Sequence, residues 1–471
     1  MNLRRLFSFC LATLALVSTA RGAAVADPRN VILIIGDGMD DHQITIARNY
    51  LVGARGRLVL DAMALRSTAQ VLAVSDDEPE RVVYVADSAN TATALATGIV
   101  TSRGRLATTA GSDRDITTII ELAQAAGMKT GIVSTASITD ATPASFVAHI
   151  SMRFCENPSA MEDVSMRGIH LGSCSADLKR NGGLGSIAEQ IADSGVDVVL
   201  GGGADHFVPK AEGREESVLE TAIAGGFHVV TSASELAAAP KDRKLLGLFS
   251  PSHLPVRWQG EGGRVAEKPE TSMLHMLHRY LGEVTFPEPM KCEANPAANE
   301  APSLKQMTDA ALEHLADDGG KGFFLTIESA SIDKQSHARN ACGSIGELEQ
   351  LEEALESALA FAKTHPETLI LVTADHGQAA QLVPNESLFA GFGIPVYSPG
   401  RIVRLTTRDG AIMVVNYATN DFSYEEHTGV NVPLFANEVG VGRVPTMVTQ
   451  PEIFEIMAEY LGLKGGASRS R

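Results

Sequence analysis

The sequence predicts an α/β fold: a large, mostly parallel central sheet with helices on both faces and a small inserted cap or crown region. Three observations predict it. Continuous apolar runs of strand length recur along the chain, stretches of helical periodicity separate them, and several runs end abruptly in Gly, Asp, Glu or His. Strands buried on both faces read as unbroken apolar runs, and strands alternating with helices build a parallel sheet covered on both sides.

In chain order, the N-terminus reads M-N-L-R-R, then the apolar stretch 6–20, then small residues up to A-D-P. A charged start, an apolar segment and a small-residue ending describe a secretory signal peptide over 1–26, cut after Ala26. The apolar run is short for a membrane span, and no later stretch is apolar enough for one. Residues 27–471 then form a single domain. Its strands are expected at 31–35 (leading into Gly36-Asp37-Gly38), 130–134, 196–200 (leading into three glycines), 322–327 (leading into Glu328) and 368–372 (leading into T-A-D-H). Helices are expected at 116–126, with Asp115 as its cap, and at 304–315 and 346–362. Two regions break the alternation. Residues near 204–300 mix Pro and Gly with little periodicity, and 380–430 holds short β-like runs such as 412–416. Both read as insertions around one core. The tail 465–471 is expected to fray.

The 471-residue chain is 44% hydrophobic, enough for a large core, and carries a net charge of −18 with no long basic run. That excludes a nucleic-acid footprint, which needs clustered Lys and Arg. An anionic substrate stays compatible, provided the site brings its own positive charge. Of five cysteines, Cys10 goes with the signal peptide. The other four, Cys155, Cys174, Cys292 and Cys342, suggest two disulfides in an exported protein, with three pairings possible. Cys155–Cys174 with Cys292–Cys342 is favoured because the first pair closes a short local loop. A thiolate metal site lacks a C-x-x-C spacing to support it.

Four clusters can carry chemistry. They are Asp37 directly after a buried strand; E-S-A-S-I-D-K-Q-S-H, with Glu328, Asp333, Lys334 and His337; T-A-D-H, with Asp375 and His376; and E-E-H-T-G, with His427. Imidazole with carboxylate suits zinc, and carboxylate with hydroxyl suits magnesium. Asp333 and His337, four apart, share a face if that turn is helical. Singly, each has a plain structural role, as a helix cap or a solvated loop pair. Jointly, they follow strand ends, and in open α/β sheets ligands bind at the carboxyl edge.

Taken in order, the motifs I-I-G-D-G-M (34–39), A-D-S-A (86–89), T-D-A-T-P-A (139–144) with Arg153, E-S-A-S-I-D-K-Q-S-H (328–337), V-T-A-D-H (372–376) and H-T-G (427–429) resemble those of exported bacterial alkaline phosphatases. The likeness spans nearly the whole mature chain. It implies metal-dependent hydrolysis of phosphate monoesters through a phosphoserine on Ser88, with two zinc ions and one magnesium. By that resemblance Asp333, His337 and His427 hold one zinc. Asp37, Asp375 and His376 hold the other, beside Ser88. Asp37, Thr142 and Glu328 reach the magnesium. Arg153 clamps phosphate oxygens, Asp140 and Lys334 act through water near them, and Asp87 joins the substrate-binding group. The family's two disulfides match the favoured pairing. A periplasmic or secreted homodimer is implied by the same likeness.

The chemistry fits the residue types. A serine alcohol is barely ionised near neutral pH, and zinc lowers the pKa of an oxygen ligand by several units. Arg offers a bidentate fork that Lys cannot reproduce. The chain departs from the family at Gln378, where a second histidine is common, and at Asp40, where glycine is usual. Both bear on metal affinity rather than reaction class. The rivals are a phosphodiesterase on the same scaffold and a metal- or phosphate-binding module without turnover. A sulfatase would need a C-x-P-x-R segment, which D-S-A-N is not. His275 and His278 have helical metal spacing but read as an amphipathic helix. The glycine clusters at 182–185 and 201–203 lack the Lys-Ser/Thr ending of a phosphate loop.

Overall fold

Seven consecutive residues without an exposed side chain, N-V-I-L-I-I-G, form the central strand β1 (Asn30–Gly36). Successive side chains of a strand point to opposite faces, so such a strand needs cover on both. The computed structural model supplies it. It describes residues 28–166, 168–278, 280–316, 320–387, 389–392 and 397–463. The expected signal peptide (1–26) and the tail 465–471 lie outside the described residues.

The strands that matter are β2 (Leu65–Gln70), β3 (Lys129–Ser137), β4 (Val198–Gly202), β5 (Phe227–Val230), β6 (Lys244–Leu248), β7 (Phe323–Ser329) and β8 (Thr368–Ala374). They are followed by β9 (Gln381–Val383), β10 (Arg401–Thr406), β11 (Ile412–Tyr417), β12 (Val432–Ala436) and β13 (Met447–Thr449). Ten of them make one sheet in the order β13-β2-β12-β8-β1-β7-β3-β4-β6-β5. Its pairings are parallel except where β12 runs against β8 and β2. Like β1, strands β7 and β8 are buried along their whole length.

Helices α1 (Asp41–Leu51), α2 (Ser88–Thr97), α3 (Ile119–Ala125), α4 (Ala141–Ala144), α5 (Leu304–Ala316), α6 (Ser331–His337), α7 (Ala341–Thr364) and α8 (Gln450–Leu461) surround the site. One helix and one strand show differences from expectation at their starts. The cap of α3 is Thr118, not Asp115. Its hydroxyl accepts the Glu121 N–H at 3.2 Å while the Glu121 carboxylate accepts the Thr118 N–H at 2.7 Å. This T-x-x-E capping box satisfies two helix-end donors at once, which a lone Asp cannot do. Strand β4 starts at Val198 rather than 196, because Asp197 turns its carboxylate to the Thr130 N–H, at 2.8 Å, and fastens the two strands at their start.

The stretch expected as an insertion near 204–300 divides in two. Strands β5 and β6 extend the main sheet. The remainder leaves the sheet and joins the second expected insertion, where β9, β11 and β10 form a separate three-stranded sheet. Single bridges Glu267–Ile402 and Met290–Leu405 tie the two together as a crown. The crown is strapped to α7. Trp258 Nε1 donates to Glu349 at 2.7 Å, Arg257 pairs with Glu349 and Glu353, and Cys292 is bonded to Cys342.

The second disulfide joins Cys155 to Cys174, both buried, two residues beyond Arg153. A cross-link closing such a loop stabilises the fold by about 2–4 kcal/mol, chiefly by restricting the unfolded chain. Reduction is therefore expected to lower the thermal unfolding midpoint. An unchanged midpoint with four titratable thiols would contradict a structural role.

Candidate active site

The four neighbouring strands β8, β1, β7 and β3 run parallel and end at one level. Gly36 of β1 lies opposite Ala374 on one side and Ser329 on the other, and Glu328 lies opposite Ser134. The residues that follow therefore share one rim. Asp37 leaves β1, Asp375 and His376 leave β8, and Asp140 and Thr142 follow β3. After β7, carrying Glu328, comes α6 with Asp333, Lys334 and His337. The turn after β1 depends on Gly38, which has φ +71° and donates its N–H to Asp375 Oδ1 at 2.9 Å.

Ser88 opens α2. Asp87 caps that helix in a reciprocal box with Asn90, so the Ser88 hydroxyl sits at the positive end of a ten-residue helix. All of S-A-N-T-A-T-A-L-A-T is buried, and its small side chains let the helix lie close to its neighbours. The Ser88 Oγ is 3.1 Å from His376 Nε2 and 3.4 Å from Asp37 Oδ1.

Two triads gather here, Asp37 with Asp375 and His376, and Asp333 with His337 and His427. In the first, His376 Nε2 lies 3.4 Å from Asp37 and 3.3 Å from Asp375. In the second it is 3.2 Å from His337 Nε2 to Asp333 and 3.3 Å from His427 Nε2 to the same carboxylate. Each imidazole uses its Nδ1–H on a backbone carbonyl: Gly377 O for His376, Glu425 O for His337 and Ala86 O for His427. In the neutral ring this leaves every Nε2 as a lone pair. Those lone pairs face carboxylates, and the two of His337 and His427 face one another at 3.0 Å. Acceptors packed against acceptors require positive charge between them. The buried Asp375 Oδ2 and Thr142 Oγ1 have no hydrogen-bond partner. A ring N–H held by a carbonyl, with the other nitrogen free, is the arrangement of metal-ligating histidines, so these residues fit divalent cations.

The protonation balance has the same cause. Burial pushes the Asp37 carboxyl well above the usual range, and the neighbouring Asp375 and Asp333 push it further. Burial raises Glu328 to about 8. His376 is pushed down to about 4 by burial. Burial also pushes His427 down, but the Asp333 carboxylate outweighs it and holds the ring at about 9. Because the folded value of Glu328 lies above its ordinary 4.5, its contribution to stability is complete below 4.5 and lost as pH rises through about 8. Protein stripped of cations is expected to melt at falling temperature over that interval, and divalent cations to reverse the fall. A flat profile by calorimetry would contradict this balance.

Beside the triads, Arg153 is held by Asp140, 2.9 Å from Nη2, and by Asp87, 3.4 Å from Nη1. Lys334 pairs with the same Asp140. Burial alone would raise the Asp140 carboxyl, but Lys334 and Arg153 hold it well below the usual range. Ser88, Arg153, Lys334, Asp333, His337 and His427 line one cavity of about 640 Å³. The site residues expected from the sequence thus converge on one rim, with Thr142 and Glu328 buried in it.

The two departures have local explanations. Gln378 is buried and donates Nε2–H to Asp333 Oδ1 at 2.5 Å, supporting a triad residue from behind. Asp40 caps α1 through the His42 and Gln43 N–H groups and accepts the Gln378 N–H at 3.2 Å. Its carboxylate fastens two loops. Close approach also explains Gly377, where a Cβ would stand 2.3 Å from Val430 Cγ2. Residues 273–276 form a 3-10 turn rather than an amphipathic α-helix, with His275 packed on Tyr397. Sequence reasoning missed Tyr424, stacked on His337 at 4.0 Å, and Glu425, buried against Arg339. Their only signal was proximity to His427.

A family model described as alkaline phosphatase matches residues 28–431. Alkaline phosphatase of Escherichia coli K12 is 40% identical over 446 residues, covering 93% of this chain and 86% of that protein. Streptomycin-6-phosphate phosphatase of Streptomyces griseus is 39% identical over 469 residues, covering 96% and 95%. Among solved structures, the alkaline phosphatase of the Antarctic bacterium TAB5 superposes with a TM-score of 0.63 at 23% identity, covering 94% of this chain and 100% of that one.

Proposed function

The chain belongs to the alkaline phosphatase family, and from that premise we propose that Ser88 is its nucleophile, served by the two triads. The chain is a metal-dependent phosphoric monoester hydrolase of α/β fold. One observation carries the assignment of Ser88: its Oγ sits at hydrogen-bond distance from His376, in the cavity that also presents Arg153 and Lys334.

A phosphate monoester enters with two negative charges. Arg153, braced from behind by Asp87 and Asp140, forks two phosphate oxygens. Lys334, set by Asp140, adds charge beside them. Ser88 Oγ then bonds to phosphorus as the bond from phosphorus to the alcohol oxygen breaks, and the alcohol departs. Water next attacks the phosphoserine, the Ser88 Oγ–P bond breaks, and inorganic phosphate leaves. Divalent cations bound at the triads would supply Lewis-acid stabilisation to the attacking and departing oxygens. We assign zinc to Asp333, His337 and His427 and to Asp37, Asp375 and His376, and magnesium to Asp37, Thr142 and Glu328, by the chemistry of these donors.

Metal analysis paired with an ester assay tests this. Two zinc ions and one magnesium ion per chain are expected. Release of p-nitrophenol should be much faster from the monoester than from the bis ester, and a chelator should abolish it. Chelator-resistant turnover, or preference for the bis ester, would contradict the assignment.

Export and a homodimer complete the proposal. The N-terminal pattern supports export, and a mature protein that does not begin at Asp27 would count against the cleavage site. Exposed Met273, Met276, Leu277 and Phe392 on the crown offer apolar surface for a second copy. Sedimentation as a single chain would exclude it. No helix among the described residues is long and apolar enough to cross a membrane.

A further inference from the structure

We propose that the buried ion pair between Arg339 and Glu425 is the positioning device of the cation site made by Asp333, His337 and His427. It rests on the reading that these three side chains hold a divalent cation. The site is assembled from two distant pieces. Asp333 and His337 ride on α6, whereas His427 stands in the loop after β11, ninety positions from His337. Something must hold loop and helix in register, because metal ligands tolerate little misplacement.

Arg339 lies two residues beyond α6 and adopts φ +58°, a left-handed conformation uncommon for a side chain of this size. Its Nε donates to Glu425 Oε2 at 2.5 Å, with the two side chains only 5% and 0% exposed. Its Nη2 also donates to Asn420 O at 3.3 Å. The other Glu425 oxygen accepts the N–H groups of Thr419, at 2.5 Å, and Asn420, at 3.2 Å, and the Thr419 hydroxyl. One carboxylate thus folds the loop upon itself and anchors it to the helix end.

The result is felt at the ligand. Glu425 N–H donates to His337 O at 3.1 Å, and Glu425 O accepts His337 Nδ1–H, which fixes the tautomer that leaves Nε2 free. Tyr424 lies flat on the same ring, 16° from parallel. A buried ion pair adds little net stability, since desolvation offsets the attraction. Its use here is geometric.

Zinc affinities of the purified protein, measured by chelator competition with Arg339→Met, Glu425→Gln, Arg339→Lys, the double Arg339→Met/Glu425→Gln and His427→Ala, test the device. His427→Ala should lose one cation. Arg339→Met and Glu425→Gln should weaken that same cation by about 10–100-fold and spare the one beside Ser88. Arg339→Lys should recover part of the loss. The double variant leaves no lone buried charge, so it should fold and show the same selective loss even if a single variant does not fold. Unchanged affinities, or a parallel loss of every cation with a lower cation-free melting temperature, would overturn the device. A His427→Ala protein that keeps every cation would instead overturn the ligand set beneath it.

Discussion

Ser88→Ala is expected to lower turnover of a phosphate monoester by roughly 10³-fold or more while leaving the fold and both triads intact. The hydroxyl is the atom proposed to bond to phosphorus, and its neighbours do not depend on it. His376 keeps its Nδ1 contact with Gly377, and Asp37 keeps its backbone N–H on Ser329 O at 3.1 Å. The helix cap survives too, because Asp87 and Asn90 make it. The variant should therefore retain cations and bind inorganic phosphate. Turnover within a few fold of the parent, measured with p-nitrophenyl phosphate, would remove Ser88 from the reaction.

Arg153→Ala should produce the next largest loss. A charge-assisted fork to phosphate contributes about 1.5–3 kcal/mol, so kcat/KM for a monoester should fall roughly 10- to 100-fold. A diester carries less charge at phosphorus, and its hydrolysis should suffer less. The change also leaves Asp87 and Asp140 facing each other across a gap that a cation had filled, which weakens binding further. Arg153→Lys should recover only part, since Lys keeps the charge and loses the planar fork. Equal losses for monoester and diester would show that Arg153 does not read the monoester's extra charge.

The central sheet was legible because its middle strands are apolar from end to end. Residues 31–35, 322–327 and 368–372 coincide with β1, β7 and β8 to within two residues at each end. The rim followed, since Asp37 and Asp375 stand immediately after two of those strands and Glu328 lies near the end of the third. Features set by tertiary contact were not legible. Strands β5 and β6 at the sheet edge are short and lie in a stretch of mixed composition, so their membership depends on pairing, β6 with β4 and β5 with β6, rather than on local pattern. The Thr118–Glu121 box was written in the sequence, but an apolar residue earlier in the window drew the expected helix start toward Asp115. The Arg339–Glu425 pair has no local signature at all. Its members are far apart in sequence and meet only when α6 and the 418–431 loop are both in place. Gln378, a departure on paper, keeps a donor on Asp333.

The most direct measurement is to quench the protein with substrate at acid pH, digest it and weigh the peptide that contains residue 88. Cations held along one edge of the sheet are claimed to make that hydroxyl take up the phosphoryl group. The peptide should then carry the mass of one phosphoryl group, carry none when the intact protein is returned to alkaline pH before digestion, and never gain it after chelation. A phosphoryl group on another side chain, or none anywhere while turnover proceeds at its normal rate, would contradict the account.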